Sequence, residues 1–376
     1  MKYNLMKKTI YLFFASLFFL ACSNQSQSLQ VIAENSSDFE RNELIEIPLA
    51  EVTAKLPLKD GQVYEVRNSQ NEIIPSQSTF DGKLLFQSTL KTKETARFTI
   101  AFGEKQNFQS KTFGRLVTER YDDFAWENDR VAFRIYGQAL VPIDGPSNGL
   151  DIWYKRTNEL VINNWYKNDL SGIASYHNDN GEGLDDYKVG RTLGAGAMAP
   201  FFNDSLWLNE NFVSSDILDN GPLRTTFKLI YKDIRVGDQT FSENRLFSID
   251  AGAQLSKVTQ EYGTTKAIPV SAGIVKRESG DSLIISPDKT CIEYLEPKTD
   301  KAEGIYIGLV FPQGINRVVT EQGHILVVTT YQPNQPLVYY TGYGWNQFGF
   351  TDANDFQTYL ENFVKGLKQP LIVSIN

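Results

Sequence analysis

The chain has 376 residues, 41% hydrophobic and 12% aromatic, with 37 lysines and arginines against 45 aspartates and glutamates, for a net charge of −8. That balance disfavours nonspecific nucleic-acid binding, so no nucleic-acid partner is expected. Two histidines and two cysteines leave no material for a disulfide framework, a cysteine metal cluster or a conventional zinc enzyme.

Lys2, Lys7 and Lys8 precede an apolar run over 9–20, too short for a stable spanning helix. Ala21-Cys22 and a polar stretch follow. This is the lipobox pattern: an export signal over 1–21, lipidation of Cys22, and a polar tether over 22–30. A plain signal peptide with an accidental cysteine is the competing reading. Loss of the signal takes three lysines with it, so −8 becomes −11 in the mature chain. The expected location is the outer membrane, by a lipid anchor and on the periplasmic side. Cys291 is expected to be a small buried apolar side chain.

Over 31–115 short β-like runs, such as Ile45-Glu46-Ile47 and Leu84-Leu85-Phe86, alternate with Asp60-Gly61 and Asp81-Gly82 turns. They predict a smaller N-terminal β region. The remainder, 116–376, reads as the main domain, with clear β runs at 223–231, 245–249, 255–262, 306–310 and 325–330. One helix is expected over 352–367, where Phe356, Leu360, Phe363, Val364 and Leu367 recur at spacings of three and four before Pro370. A last strand is expected over 371–375. Many strands and one late helix predict an all-β fold, a large two-sheet β-sandwich with a single C-terminal helix. Gly194-Ala195-Gly196 lacks the strand and helix that would make it a phosphate loop.

Three clusters carry candidate chemistry. Read as one strand, 126–136 puts Val131, Phe133 and Ile135 on a core face and Trp126, Asn128, Arg130, Arg134 and Tyr136 on the other. Such a row of aromatic, amide and guanidinium groups suits a sugar carrying carboxylates or sulfates; a solvated face with local ion pairs is the alternative. Trp153, Lys155 and Arg156, followed by Trp165-Tyr166, repeat the mixture. The third cluster, over 176–187, holds Tyr176, His177 and Tyr187 in a glycine-rich loop among carboxylates. His177 suits proton transfer near neutral pH. Asp179, Glu182 and Asp185 offer a Ca²⁺ alternative without EF-hand spacing. His324 reads as a turn residue, and no Gly-x-Ser-x-Gly elbow is present.

The stretch 123–137 resembles the signature of domain-of-unknown-function family 4861. Matches at 149–153, 176–183 and 220–224 follow in order, and the resemblance spans nearly all of the mature chain. The family occurs in polysaccharide-degrading bacteria, in gene clusters for acidic glycans such as pectins and ulvan. The resemblance implies a galactose-mutarotase-like supersandwich. One branch resembles the ulvan oligosaccharide dehydratases, carbon–oxygen lyases that remove water from a saturated uronic acid at the non-reducing end. The 4,5-unsaturated product then passes to an unsaturated-uronyl glycosidase. On that reading Arg130, Arg134 or Lys155 stabilises the enediolate-like transition state, His177 or a tyrosine takes the C5 proton, and Tyr136 or Tyr176 protonates the departing hydroxyl. Trp126, Asn128, Trp153, Lys155 and Arg156 hold the acidic oligosaccharide. No cofactor or metal is called for. A polysaccharide lyase would use the same parts, and a noncatalytic glycan-binding lipoprotein is the competing class.

Overall fold

Strands such as Glu243–Asp250 alternate buried and half-exposed side chains. That period of two turns them into sheets with one face inside. The computed structural model describes residues 28–376; Cys22 and the export signal lie outside the described residues. Ser28 already begins a strand, Ser28–Glu34, so 28–30 is sheet rather than tether.

The N-terminal part is built from two sheets. One runs, in spatial order, Ile372–Ile375, Ser28–Glu34, Thr95–Gly103, Val63–Arg67 and Ile73–Ile74; the other runs Arg41–Pro48, Lys83–Leu90 and Ser76–Ser78. They close on Val31, Ile45, Val52, Phe86, Phe98 and Ile100. The last strand of the chain thus pairs with the first, antiparallel, with Val31 opposite Ile375.

An eight-stranded antiparallel sheet follows, ordered Ser214–Asn220, Arg224–Ile230, Glu243–Asp250, Leu255–Tyr262, Leu337–Trp345, Ile305–Val310, Cys291–Leu295 and Ser282–Ile285. Its inner face meets two five-stranded sheets. The first contains Thr112–Val117, Asp123–Asn128, Ala132–Ile135, Asp151–Lys155 and Gly183–Leu184; the second is centred on Ala195–Phe202, Ile268–Val275 and His324–Tyr331. One continuous core fills the space between. Phe124 and Trp126 from one layer stack on Phe227 and Phe247 from the other, with ring centroids 4.0 to 5.1 Å apart. Cys291 is buried beneath the C-terminal helix as a free thiol, its pKa pushed up to about 11 by burial.

The fold is therefore predominantly β-sheet, with several sheets and a few short helices. The C-terminal helix is Ala353–Lys368, with the Asp352 side chain capping it by accepting from the Asp355 N–H. It is not alone, and the expectation of a single helix is corrected. Leu49–Lys55 and Ile162–Leu170 are also helical. In the second, Ile162, Trp165 and Tyr166 stand at helical spacing and bury one stripe on the outer face of the first five-stranded sheet. No described helix is long and apolar enough to cross a membrane. A groove of about 910 Å³ separates the N-terminal sheets from the outer face of the eight-stranded sheet.

Candidate functional site

The segment 126–136 is not one strand. Asp123–Asn128 and Ala132–Ile135 are two strands of a hairpin with Phe133 opposite Trp126. The Asn128 side chain holds the turn by accepting from the N–H groups of Arg130 and Val131. The turn resets the alternation, and the expected ligand-facing row is divided. Trp126 faces the core, fully buried, and donates to Ser256 Oγ at 3.0 Å. Asn128 is buried too, donating to the carbonyls of Asp250 and Ala253. Arg130 packs over Phe348 at 5.6 Å, at the edge of the groove.

Arg134 stays on the outer face, where it joins Asp123 and Asp151 on neighbouring strands. Its Nε and Nη2 donate to Asp151 Oδ2 at 2.9 and 2.5 Å, Nη2 also donates to Asp185 Oδ2 at 2.8 Å, and Nη1 donates to Tyr176 Oη at 3.3 Å. Tyr136 donates to the same Asp151 oxygen at 2.9 Å. Burial opposes the Arg134 charge, but Asp151, Tyr136 and Asp185 more than offset it, and its pKa lies above the usual guanidinium range. Burial, followed by the Asp151 charge, keeps the Tyr136 phenol firmly protonated.

Burial dominates the carboxylates as well. Asp185 is pushed up to about 7 by desolvation and the neighbouring Asp151, against the pull of Arg134. Asp123 is pushed up to about 6 by burial, with Arg134 and Arg120 pulling the other way. Three atoms of the cluster are buried without a hydrogen-bond partner among the described residues: Arg120 Nη1, Asp123 Oδ1 and Asp151 Oδ1. Buried polar atoms are rarely left so, and several in one place mark a position where a polar ligand or water belongs.

His177 stands at the surface above the cluster. Its side chain is 56% exposed, and Nδ1 lies 3.1 Å from the Asp185 carbonyl and 3.6 Å from Asp185 Oδ2. Tyr176 beneath it is buried between Trp153 and the His177 ring, with centroids 5.0 and 4.6 Å away. Trp153 is itself buried under Trp165, at 5.2 Å. Lys155 is fully buried and donates to Glu127 Oε2 at 2.9 Å and to the Asn128 carbonyl. Arg156 lies at the rim, bound to Asp179 at 2.9 Å.

The three carboxylates of the calcium alternative do not converge. Asp179 serves Arg156 and the N–H groups of Gly181 and Gly183, Glu182 accepts from Trp165 Nε1, and Asp185 binds Arg134. His324, far from this cluster, is buried: Nε2 accepts from the Leu193 N–H and Nδ1 faces the Gln322 carbonyl. Desolvation lowers its pKa and favours the neutral ring. The structure thus brings together Tyr136, Arg134, Tyr176 and His177. It adds Asp123, Asp151 and Arg120, and places Asp185 at the centre. The groove of about 910 Å³ lies across the sandwich from these groups, so it and the titratable cluster do not coincide in this fold.

A protein of Formosa agariphila (strain DSM 15362 / KCTC 12365 / LMG 23005 / KMM 3901 / M-2Alg 35-1), called "Uncharacterized protein P7", is 29% identical over 403 residues, covering 98% of this chain and all of that protein. Among solved structures, an alpha-mannosidase from Enterococcus faecalis V583 aligns with a TM-score of 0.55 at 10% identity, over 93% of this chain and 46% of that one. A protein in the glycosyl hydrolase family 38, also from Enterococcus faecalis, aligns with a TM-score of 0.54 at 9% identity, over 93% and 47%. This chain spans about half the length of these solved structures, and the likeness is one of fold.

These findings correct the expectation of a carbon–oxygen lyase. The two fold matches named above are an alpha-mannosidase and a protein in the glycosyl hydrolase family 38. Of the cations meant for the elimination, Lys155 is committed to Glu127 and Arg134 to Asp151 and Asp185, while Arg130 lies at the groove, away from the cluster. With the dehydratase falls its unsaturated product and the glycosidase expected to consume it. Residues 33–373 match the family described as "Domain of unknown function (DUF4861)", and over that length the chain belongs to it.

Proposed function

We propose that this protein acts on glycans by hydrolysing a glycosidic bond at the cluster around Arg134. Asp185 is the proton donor. The carrying observation is the pairing of two unlike carboxylates on one guanidinium: Asp185, held near neutrality by burial, beside Asp151, which is bound by three donor groups. Glycoside hydrolysis asks for two carboxyl groups at one bond, one of them raised to deliver a proton. The Asp185 proton passes to the leaving glycosidic oxygen. Asp151 and Asp185 share Arg134 Nη2, so their carboxyls lie about 5 Å apart or closer, the spacing of a nucleophile and an acid. The unpartnered Asp151 Oδ1 bonds to the anomeric carbon as the leaving group departs, and a water that gives its proton back to Asp185 then displaces and frees Asp151. The Arg134 fork fixes both carboxylates, and His177 is the exposed side chain beside Asp185.

Arg134 is already paired to two carboxyls and Arg120 stands 3.9 Å from a third, Asp123, so a uronate would bring its charge beside three carboxyl groups. A neutral sugar is the substrate class that fits. The arrangement of eight strands against two five-stranded sheets supports a supersandwich of the galactose-mutarotase kind as the finer description of the fold. We also propose that the chain is exported and anchored in the outer membrane through Cys22.

The test is mass analysis of neutral and uronate-containing oligosaccharides after incubation with the protein. Pairs of shorter products whose masses sum to the substrate plus one water are expected, and Asp185→Asn should lose roughly 100- to 10,000-fold in rate. Intact glycans throughout the panel, with measurable binding, would leave the noncatalytic glycan-binding reading in its place.

A further inference from the structure

The groove between the N-terminal sheets and the eight-stranded sheet lies on the opposite side of the sandwich from the Arg134 cluster. Its floor is the outer face of the larger sheet. Strand register lines up four polar side chains across it: Thr226 opposite Ser248, Ser248 opposite Lys257, Lys257 opposite Tyr340. Sheet faces of this kind are ordinarily covered by apolar packing, as the neighbouring strands of the same sheet are by the C-terminal helix. Here the covering layer stands off, and Ser248, Lys257 and Tyr340 face the groove, while Thr226 is buried at the end of the row against Ser248, 3.2 Å between their hydroxyls.

The walls are aromatic. Tyr359 and Phe363 of the C-terminal helix form one side; Phe80, 53% exposed at a hairpin tip, and Phe39 belong to the other. Five cationic and five anionic side chains line the groove, so it carries no net charge. Most are satisfied among themselves: Arg224 binds Glu46 and Asp250, Lys83 binds Glu46 and Asp81, and Arg41 binds Glu43. The Lys257 ammonium and the Tyr340 hydroxyl have no protein partner among the described residues and remain as free donors on the floor.

We propose that this groove is a second glycan-binding site, which takes a neutral, unbranched oligosaccharide lengthwise along the Ser248–Lys257–Tyr340 row. Pyranose rings present apolar faces to aromatic walls and hydroxyls to a polar floor, the two surfaces provided here. The groove as a whole carries no net charge, so its overall field does not favour a polyanion. The volume of about 910 Å³ is near the top of the range for small-ligand pockets, roughly 300–1,000 Å³, and suits several sugar units rather than one. The site goes beyond the hydrolytic reading and stands whether or not that reading survives.

The test is calorimetric titration with mannotetraose, xylotetraose and a uronate tetrasaccharide. It uses the wild type, Lys257→Ala, Thr259→Trp to fill the floor, and Asp185→Asn. Thr259 is a half-exposed strand residue lining the same groove, so the larger ring enters open space rather than core. At least one neutral tetrasaccharide should bind the wild type and Asp185→Asn equally, lose about 3- to 10-fold with Lys257→Ala, and lose binding with Thr259→Trp while the melting temperature holds. Unaltered affinity in folded Thr259→Trp, binding of the uronate tetrasaccharide alone, or no binding of either neutral probe would overturn the proposal. Loss of binding in Asp185→Asn alone would place the ligand at the Arg134 cluster and overturn it as well.

Discussion

Asp185 shows how burial decides chemistry one side chain at a time. An exposed aspartate is ionised at neutral pH, whereas this one, almost wholly buried and facing Asp151, titrates at about 7. Asp123 at about 6 and Glu293 at about 8 shift in the same direction, the last because desolvation leaves it buried with both oxygens unpartnered. The sign follows from linkage. A carboxyl whose folded pKa exceeds its unfolded value keeps its stabilising proton below the unfolded pKa and loses that contribution as pH rises through the folded pKa. The protein should therefore be destabilised between about pH 5 and pH 8 by these groups, and Asp185→Asn should flatten the decline. Urea midpoints of both proteins across that range test it; an equal slope in the two would show that Asp185 is ionised throughout. None of this was legible in the sequence, where Asp185 stood as one acid among several in a glycine-rich loop. The aromatic and arginine content of the site was legible, because residues such as Arg134 and Tyr176 are conspicuous types in a conspicuous order.

Hairpins and helices set which of those conspicuous residues could meet. A period-two reading across 126–136 fails because Asn128, Asp129 and Arg130 form a turn, and a turn resets which face each later residue occupies. Read as two strands, the same letters put Asp123, Ala125, Glu127, Ala132 and Arg134 on one side and Phe124, Trp126, Phe133 and Ile135 on the other. The signal for the missed helix at Ile162–Leu170 was present in the spacing of Ile162, Trp165 and Tyr166, but its nine residues are easily lost among aromatic strands. The C-terminal helix was legible because sixteen residues repeat the pattern over four turns and end before Pro370. Its start rests on Asp352. Asp352→Ala should cost about 1 kcal/mol of stability through the lost cap, measured by denaturant unfolding. A loss within error would mean that packing of Phe356, Leu360 and Val364 alone fixes the first turn.

Over the whole molecule, covering layers occupy both outer faces of the sandwich. The Ile162–Leu170 helix shelters the Arg134 cluster on one, and the N-terminal sheets stand over the groove on the other. Sequence patterning indicates many strands. It does not say that Gln77 donates to the Arg224 carbonyl or that Arg41 donates to the Gln369 carbonyl, long-range bonds that set the N-terminal sheets against the rest. The proposed anchor belongs to this scale too. Cys22→Ser should move the protein from the membrane to the soluble fraction, and retention after a carbonate wash would sink the lipoprotein reading. Mechanically, the antiparallel pairing of Ser28–Glu34 with Ile372–Ile375 brings the two ends of the described chain side by side, with Gln30 and Asn376 exchanging both backbone hydrogen bonds. Force applied between those ends would meet this ladder in unzipping geometry, one rung at a time, and peel away the last strand before the large core bore tension. A pull entering from the N-terminal side alone would be shared instead with Thr95–Gly103, the longer neighbour on the other edge of the same strand.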